Sequence, residues 1–213
     1  DFEVFASLGL DDDTILNAGA SYAAGRQDCV FFGHLPNSDN TTALLTATRD
    51  GLTFDTQYAA LFCGGLKISD PIVPGAEKEI SELGDVIGVA MRSSAEFGEW
   101  YSFAGPQRGL IYNALGVVNN FGTGSTTKLD ALAQRTINTV IQRDGRIMVW
   151  GNFSGQLATS RKSFLNVVKL NIHMKKSLRP LLEAYIEQPN DFRTFKEIAN
   201  AVGPYLDSLV GEK

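Results

Sequence analysis

Short apolar runs that stop abruptly at Gly or Pro, set between stretches of helical periodicity, are the feature of this sequence that most narrows its fold. DCVFFGHLP at 28–36 is stopped by Pro36, and Ile147-Met148-Val149-Trp150 is stopped by Gly151-Asn152. Runs of that length between breakers read as buried strands. Further strands are predicted over 2–8 and 57–71. Between them, Asp11-Asp12-Asp13-Thr14 offers capping side chains and negative charge to a helix over 14–25. Asn37-Ser38-Asp39 leads into a short helix near 40–49, broken by Asp50-Gly51. Residues 72–80 read as a loop, after which Ser81 caps a helix over 82–94. Residues 104–125 are loop-rich with one apolar stretch at 110–118. Leu129, Leu132, Ile137, Val140 and Ile141 fall near helical spacing and predict one helix across 126–145, closed by Asp144-Gly145. Strands alternating with helices predict an α/β fold, a mixed sheet flanked by helices.

Two long helices are predicted to finish the chain. Val167, Leu170, Met174, Leu178, Leu181, Leu182 and Tyr185 follow the three-to-four rhythm of an amphipathic stripe. Pro180 inside it is expected to bend or interrupt the helix, and Pro189-Asn190 to end it. In the last helix Phe192, Phe195, Ile198, Ala199, Val202, Leu206 and Leu209 are expected to face inward, with a kink at Gly203-Pro204. These elements predict an α/β domain over 1–143 and a smaller α/β part over 144–213 ending in the two helices.

The 213 residues are ample for a hydrophobic core. A net charge of -5 argues against a general nucleic-acid binder. No apolar run approaches the roughly 20 residues that span a bilayer. Cys29 and Cys63 have no CxxC spacing and read as buried free thiols from a reducing compartment. The two histidines, His34 and His173, carry no metal signature. GTGSTTK at 122–128 resembles a phosphate loop but has Thr127 where Gly must precede the Lys. Asp28, His34 and Ser81 supply the residue types of a serine hydrolase without the flanking motifs. No catalytic, cofactor-binding or metal-ligating residue is assigned. Charge is unevenly spread: Arg161, Lys162, Lys169, Lys175, Lys176 and Arg179 have no acid among them, whereas Glu77, Glu79, Glu82 and Asp85 make 77–85 acidic. Complementary patches of this kind suit a protein–protein contact.

The stretch LDALAQRTINTVIQRDGRIMVWGNFS at 129–154 resembles the C-terminal part of contractile phage tail sheath proteins, through Leu132, Ile137, Asn138, Gly145, Val149, Trp150 and Gly151. Asn166, Val167, Lys169 and Leu170 resemble the start of a helix in that family, with Lys169 in place of its usual Arg. Glu187-Gln188-Pro189-Asn190-Asp191 is similar to the break that follows. Upstream, Tyr58-Ala59-Ala60, Asp70-Pro71, Gly88-Val89-Ala90, Trp100 and Ala104-Gly105-Pro106 resemble further landmarks, so the likeness covers about 20–213. It implies a subtilisin-like α/β domain without the protease's site. It implies a structural subunit, not an enzyme and needing no cofactor, that stacks around a tail tube and contracts to drive the tube through an envelope. Phage tails and phage-derived bacterial injection machines both use such subunits. The implied partners are further copies, the tube protein and baseplate proteins, with no nucleic acid and no membrane anchor, in a virion tail assembled in the host cytoplasm. On this resemblance Lys169, Lys175, Lys176, Arg179, Glu77, Glu79 and Glu82 are candidate contacts with neighbouring subunits or the tube. Trp150 is expected to fill space between sheet and helices, Gly151 to allow a close turn, and Pro189-Asn190 to separate the helices. Sheath subunits link through terminal arms. A chain opening at Asp1 inside a predicted strand and ending at Val210-Gly211-Glu212-Lys213 reads as a fragment without them, monomeric by itself.

Overall fold

The computed structural model describes residues 2–124 and 126–211. Asp1, Ser125, Glu212 and Lys213, on which expectations about the chain ends and the 122–128 loop partly fall, lie outside the described residues. The chain divides into two compact units, Asp1–Leu170 and Asn171–Lys213.

In the first unit, β1 (Val4–Ala6) leads through helix α1 (Asp13–Arg26) to β2 (Val30–His34), and α2 (Thr42–Gly51) leads to β3 (Ala59–Cys63). The α1 cap is one the sequence offers, Asp12, which accepts from the Thr14 amide; α2 is capped by Thr41, which accepts from the Leu44 amide, and not by the Asn37-Ser38-Asp39 stretch before it. Every residue of β2 and β3 is buried, as a parallel strand covered on both faces requires. After β3 the chain leaves the sheet at Gly64-Gly65, where both φ angles are positive, and builds β4 (Leu66–Ser69) and β5 (Glu77–Ile80). Helix α3 (Leu83–Phe97), the short strands β6 (Leu110–Ile111) and β7 (Gly116–Val117), and α4 (Thr127–Gln134) follow. Then come β8 (Ile137–Arg143) and β9 (Arg146–Trp150). The main sheet has six strands in the order β1-β2-β3-β8-β9-β6, parallel from β1 to β8 and antiparallel beyond. A smaller antiparallel sheet has the order β5-β4-β7. The fold is thus α/β, with a mixed sheet flanked by helices.

Three secondary-structure expectations change. The strand predicted over 57–71 is two strands in two sheets, parted at Gly64-Gly65, and the loop predicted over 72–80 contains β5. The helix predicted across 126–145 stops at Gln134. Thr136 takes φ +56 and turns the chain into β8, where Ile137 to Ile141 are all buried. Ile137, Val140 and Ile141 fit helical spacing as well as they fit a strand covered on both faces, and β-branching decides for the strand. Asp144 and Gly145, at φ +52 and +72, then form the two-residue turn whose twist suits a hairpin. The expected boundary at 143/144 falls inside this hairpin, and the units divide within the next helix instead.

The exit from β9 shows why Gly follows Trp. Gly151 has φ +102, and a Cβ there would lie 2.7 Å from Oδ1 of the fully buried Asn138. Asn138 Nδ2 donates to the Leu61 carbonyl at 3.1 Å and the Phe153 carbonyl at 2.8 Å, while Oδ1 accepts from the Phe153 amide at 2.8 Å. One carboxamide therefore ties β3, β8 and the segment after β9. Trp150 is half-buried beneath the Arg143 guanidinium, 5.3 Å from the ring centre. Nearby, the buried Arg49 reaches from α2 to the carbonyls of Phe54 and Gly155.

Helix α5 (Leu165–Glu183) and helix α6 (Phe192–Gly211) continue through Pro180 and Pro204. In the second unit Phe192, Phe195 and Leu206 are 82%, 59% and 40% exposed, against the inward placement expected from their spacing. Two helices leave much of an apolar stripe uncovered.

Replacing Asn138 by Ala should lower the unfolding free energy by about 3 kcal/mol, because three buried backbone groups lose their partners. Urea unfolding followed by circular dichroism measures it, and an unchanged midpoint would remove the carboxamide from the framework.

Candidate functional site

Parallel α/β sheets place their sites where the strands end. Here the C-terminal ends of β1, β2 and β3 bring together Ser7, His34, Gly65 and Glu82. His34 closes β2, and its amide donates to Ser7 Oγ at 3.1 Å. Its Nδ1 lies 3.0 Å from Glu82 Oε1, and Glu82 Oε2 accepts from the Gly65 amide at 3.2 Å. His34 is 4% exposed and Glu82 fully buried. Glu82, expected as a surface contact, is therefore an internal anchor holding the start of α3 against the ends of β2 and β3. Burial alone would lower the imidazole pKa. The Glu82 carboxylate, by hydrogen bond and charge, and Asp11, by charge, outweigh it, and the pKa lies above its ordinary value.

The hydrolase residue types do not assemble. Asp28 sits ahead of β2 and His34 at its far end, about 20 Å of strand apart. Asp28 takes two 2.8 Å bonds from Arg26. Ser81 Oγ accepts from the Leu83 amide at 3.3 Å in the turn leading into α3, whose N-cap position is Glu82. Cys63 is buried and its thiol pKa is pushed up by that burial. Cys29 and Cys63 lie at opposite ends of neighbouring strands. Thr127 opens α4, so the end of the 122–128 segment is a helix start. Among the described residues no group of three or more His, Cys, Asp or Glu is placed to hold a metal, and no helix is long and apolar enough to cross a membrane.

The candidate contact charges separate by burial. Lys169 is 8% exposed. Its Nζ lies 2.8 Å from Glu99 Oε2, donates to Ser94 Oγ and sits 6.0 Å from the Phe103 ring centre. It is a core ion pair and not a contact residue, because the Glu99 carboxylate and the Phe103 ring draw it inward. Glu77 and Glu79 are exposed on β5, with Lys67 directly opposite Glu79 and 3.9 Å from Glu77. Lys175 and Arg179 are exposed on α5 and Lys176 is half-buried. Pro189 and Asn190 lie in the exposed link between α5 and α6, where Asp191 Oδ1 accepts from the Thr194 amide.

Sequence spacing alone missed one cluster. Arg143, Asp144, Arg146, Met148, Trp150 and Pro106 line a hollow of about 450 Å³ beside the β8–β9 turn. Arg-Asp-Gly-Arg between two strands was its signal, since a two-residue turn sets the two arginines across from each other.

The sign of the His34 effect fixes its pH dependence. A pKa raised on folding adds stability that is complete below the unfolded value near 6.5 and is lost as pH rises through the folded value. The urea midpoint should therefore decline as pH rises from below 6.5, relative to Glu82→Gln, whose profile should be flatter across that window. Parallel profiles for the two proteins would show that the pair does not titrate.

No family model and no curated protein matches the chain. Solved structures do. The sheath complex of an extracellular contractile injection system, PVC, in the contracted state, superposes with a TM-score of 0.77 at 18% identity over 100% of this chain and 56% of that one. The baseplate of the anti-feeding prophage gives a TM-score of 0.75 at 17% identity over 100% and 54%. A sheath tail protein from Desulfitobacterium hafniense gives 0.69 at 13% identity over 99% and 46%. The chain spans about half the length of these structures. What is shared at such identities is architecture, and the architecture of this chain is that of the contractile tail sheath proteins.

Proposed function

We propose that this chain is the body of a structural sheath subunit, which polymerises around a tail tube and contracts to drive it through a target envelope. The observation that carries this reading is the match over the chain's whole length to a contracted sheath. The interior agrees with it. Buried ionisable side chains serve packing: His34 binds Glu82 and Lys169 binds Glu99. A part that moves as a rigid body between two sets of contacts needs such internal ties. Its partners on this reading are further copies, the tube protein and the baseplate, in a tail assembled in the host cytoplasm.

A phage-derived injection machine is the second reading. In its favour, the injection-system sheath superposes at 0.77 and the anti-feeding-prophage structures at 0.75, 0.73 and 0.66, with 17–20% identity, against 0.69 and 0.63 with 13% and 10% identity for the sheath tail proteins from Desulfitobacterium hafniense and Listeria innocua.

The exposed charges of α5 and β5 are the contact candidates that remain after Lys169 and Glu82 are set aside. Exposed pairs contribute about 0–1 kcal/mol each, too little to hold a polymer by themselves. The 213-residue chain alone should therefore sediment as a monomer at micromolar concentration. Tubes formed by it would overturn that expectation. Electron microscopy of the intact subunit produced with its tube protein should show striped tubular polymers, and their absence would contradict the sheath reading. Lys175→Glu with Lys176→Glu should reduce those polymers, with the circular dichroism of this chain showing that the double variant remains folded. Normal assembly of the double variant would take this part of α5 off the contact surface.

A further inference from the structure

The β8–β9 hairpin carries an arrangement that disfavours its own fold. Arg143 and Arg146 stand directly opposite each other, both exposed, and like charges so placed repel. No ion pair reaches either among the described residues. Strand alternation puts Arg146, Met148 and Trp150 on one face, and Arg143 joins them by lying over the Trp150 ring. With Pro106 and Asp144 they line the hollow of about 450 Å³, whose rim carries two guanidinium groups against the one Asp144 carboxylate and so stays net cationic. Trp and Arg in a recess are the residue types that carry most binding energy at protein interfaces.

The β4–β5 hairpin has the complementary shape and charge. Ile72 and Val73 at its tip are 79% and 53% exposed. The tip is nevertheless fixed: Asp70 Oδ1 accepts from the amides of Ile72 and Val73, the Asp70 amide donates to the Ala76 carbonyl, and the Ala76 amide donates to the Val73 carbonyl. A preformed tip loses little freedom on docking. Behind it, Glu77 and Glu79 stand exposed on the edge of the small sheet. Lys67 shares their face, whereas Lys78 alternates to the other, so two glutamates and Asp70 outweigh one lysine.

We infer that the β4–β5 tip of one copy seats in the Arg143–Trp150 hollow of a second copy. Ile72 and Val73 cover Trp150 and Pro106, and Glu77 and Glu79 relieve the Arg143–Arg146 repulsion. The choice of a second copy as partner rests on the sheath reading. The two surfaces differ, so the contact is head-to-tail and leaves the pair one free hollow on the first copy and one free tip on the second, as an open helical assembly needs. A contact confined to a hairpin tip is smaller than a stable interface, and the chain stays monomeric when dilute.

Cross-linking catches such a weak pair. Val73→Cys in one copy is mixed with Pro106→Cys in a size-tagged copy, oxidised, and resolved without reductant. Cys29 and Cys63 are buried and do not compete. The mixed dimer should exceed by about tenfold that formed with Lys196→Cys as the partner cysteine. Glu77→Lys with Glu79→Lys on the first copy should remove most of that excess, and Arg143→Glu with Arg146→Glu on the second should restore it. Ile72→Asp, on an exposed tip, should also abolish the excess and keeps the test decisive if the arginine variant fails to fold. Yields equal to the Lys196→Cys control, or no restoration by the reversed pair when it folds, would overturn the contact. Tubes that form around the tail tube without this cross-link would move the interface elsewhere and leave the sheath reading standing. The cross-link without tubes would do the reverse.

Discussion

The carboxamide of Asn138 is the tie on which the rest of the first unit depends. It enters the sheet on β8 and reaches β3 on one side and the segment leaving β9 on the other. A parallel sheet turning antiparallel must route its chain back past its own strands, and buried backbone groups on that route need partners. Asn138 supplies three of them, and the space it occupies is the reason residue 151 can only be Gly. From that crossing the chain continues past Gly155, whose amide donates to Ala59 and whose carbonyl accepts from Arg49. The end of β9 is therefore fastened to both the sheet centre and α2.

Burial of ionisable groups is the second theme. His34 with Glu82 joins strand ends to α3, and Lys169 with Glu99 joins the first turns of α5 to the residues following α3. Such pairs add little net stability over an apolar filling, but losing one partner strands the other charge. Each pair thus penalises any motion that separates its elements, and the unit resists internal deformation more than its stability alone implies.

Much of this was legible in the sequence, for particular reasons. The buried strands at 30–34 and 146–150 and the capped helices α1 and α2 announce themselves through apolar runs, breakers and Asp or Thr caps. The helix–strand switch at Thr136 was not legible, because a strand buried on both faces leaves no alternation and its apolar residues imitate a helix. Nor could composition reveal which charges turn inward. Lys169 and Glu82 look like surface residues until Glu99 and His34, distant in sequence, are brought beside them. The resemblance to sheath proteins worked because its landmarks fall where backbone geometry is demanding: Asn138, Gly145 and Gly151.

The two cysteines carry a consequence for how the molecule ages. Both are buried, the Cys63 thiol holds its proton more tightly than a free thiol, and the pair sits at opposite strand ends. Thiolate formation and solvent access are what oxidants need, and a cross-link needs the sulfurs adjacent. So long as the fold holds, the two thiols are indifferent to the redox history of their surroundings, and thiol reactivity becomes a direct clock for local unfolding.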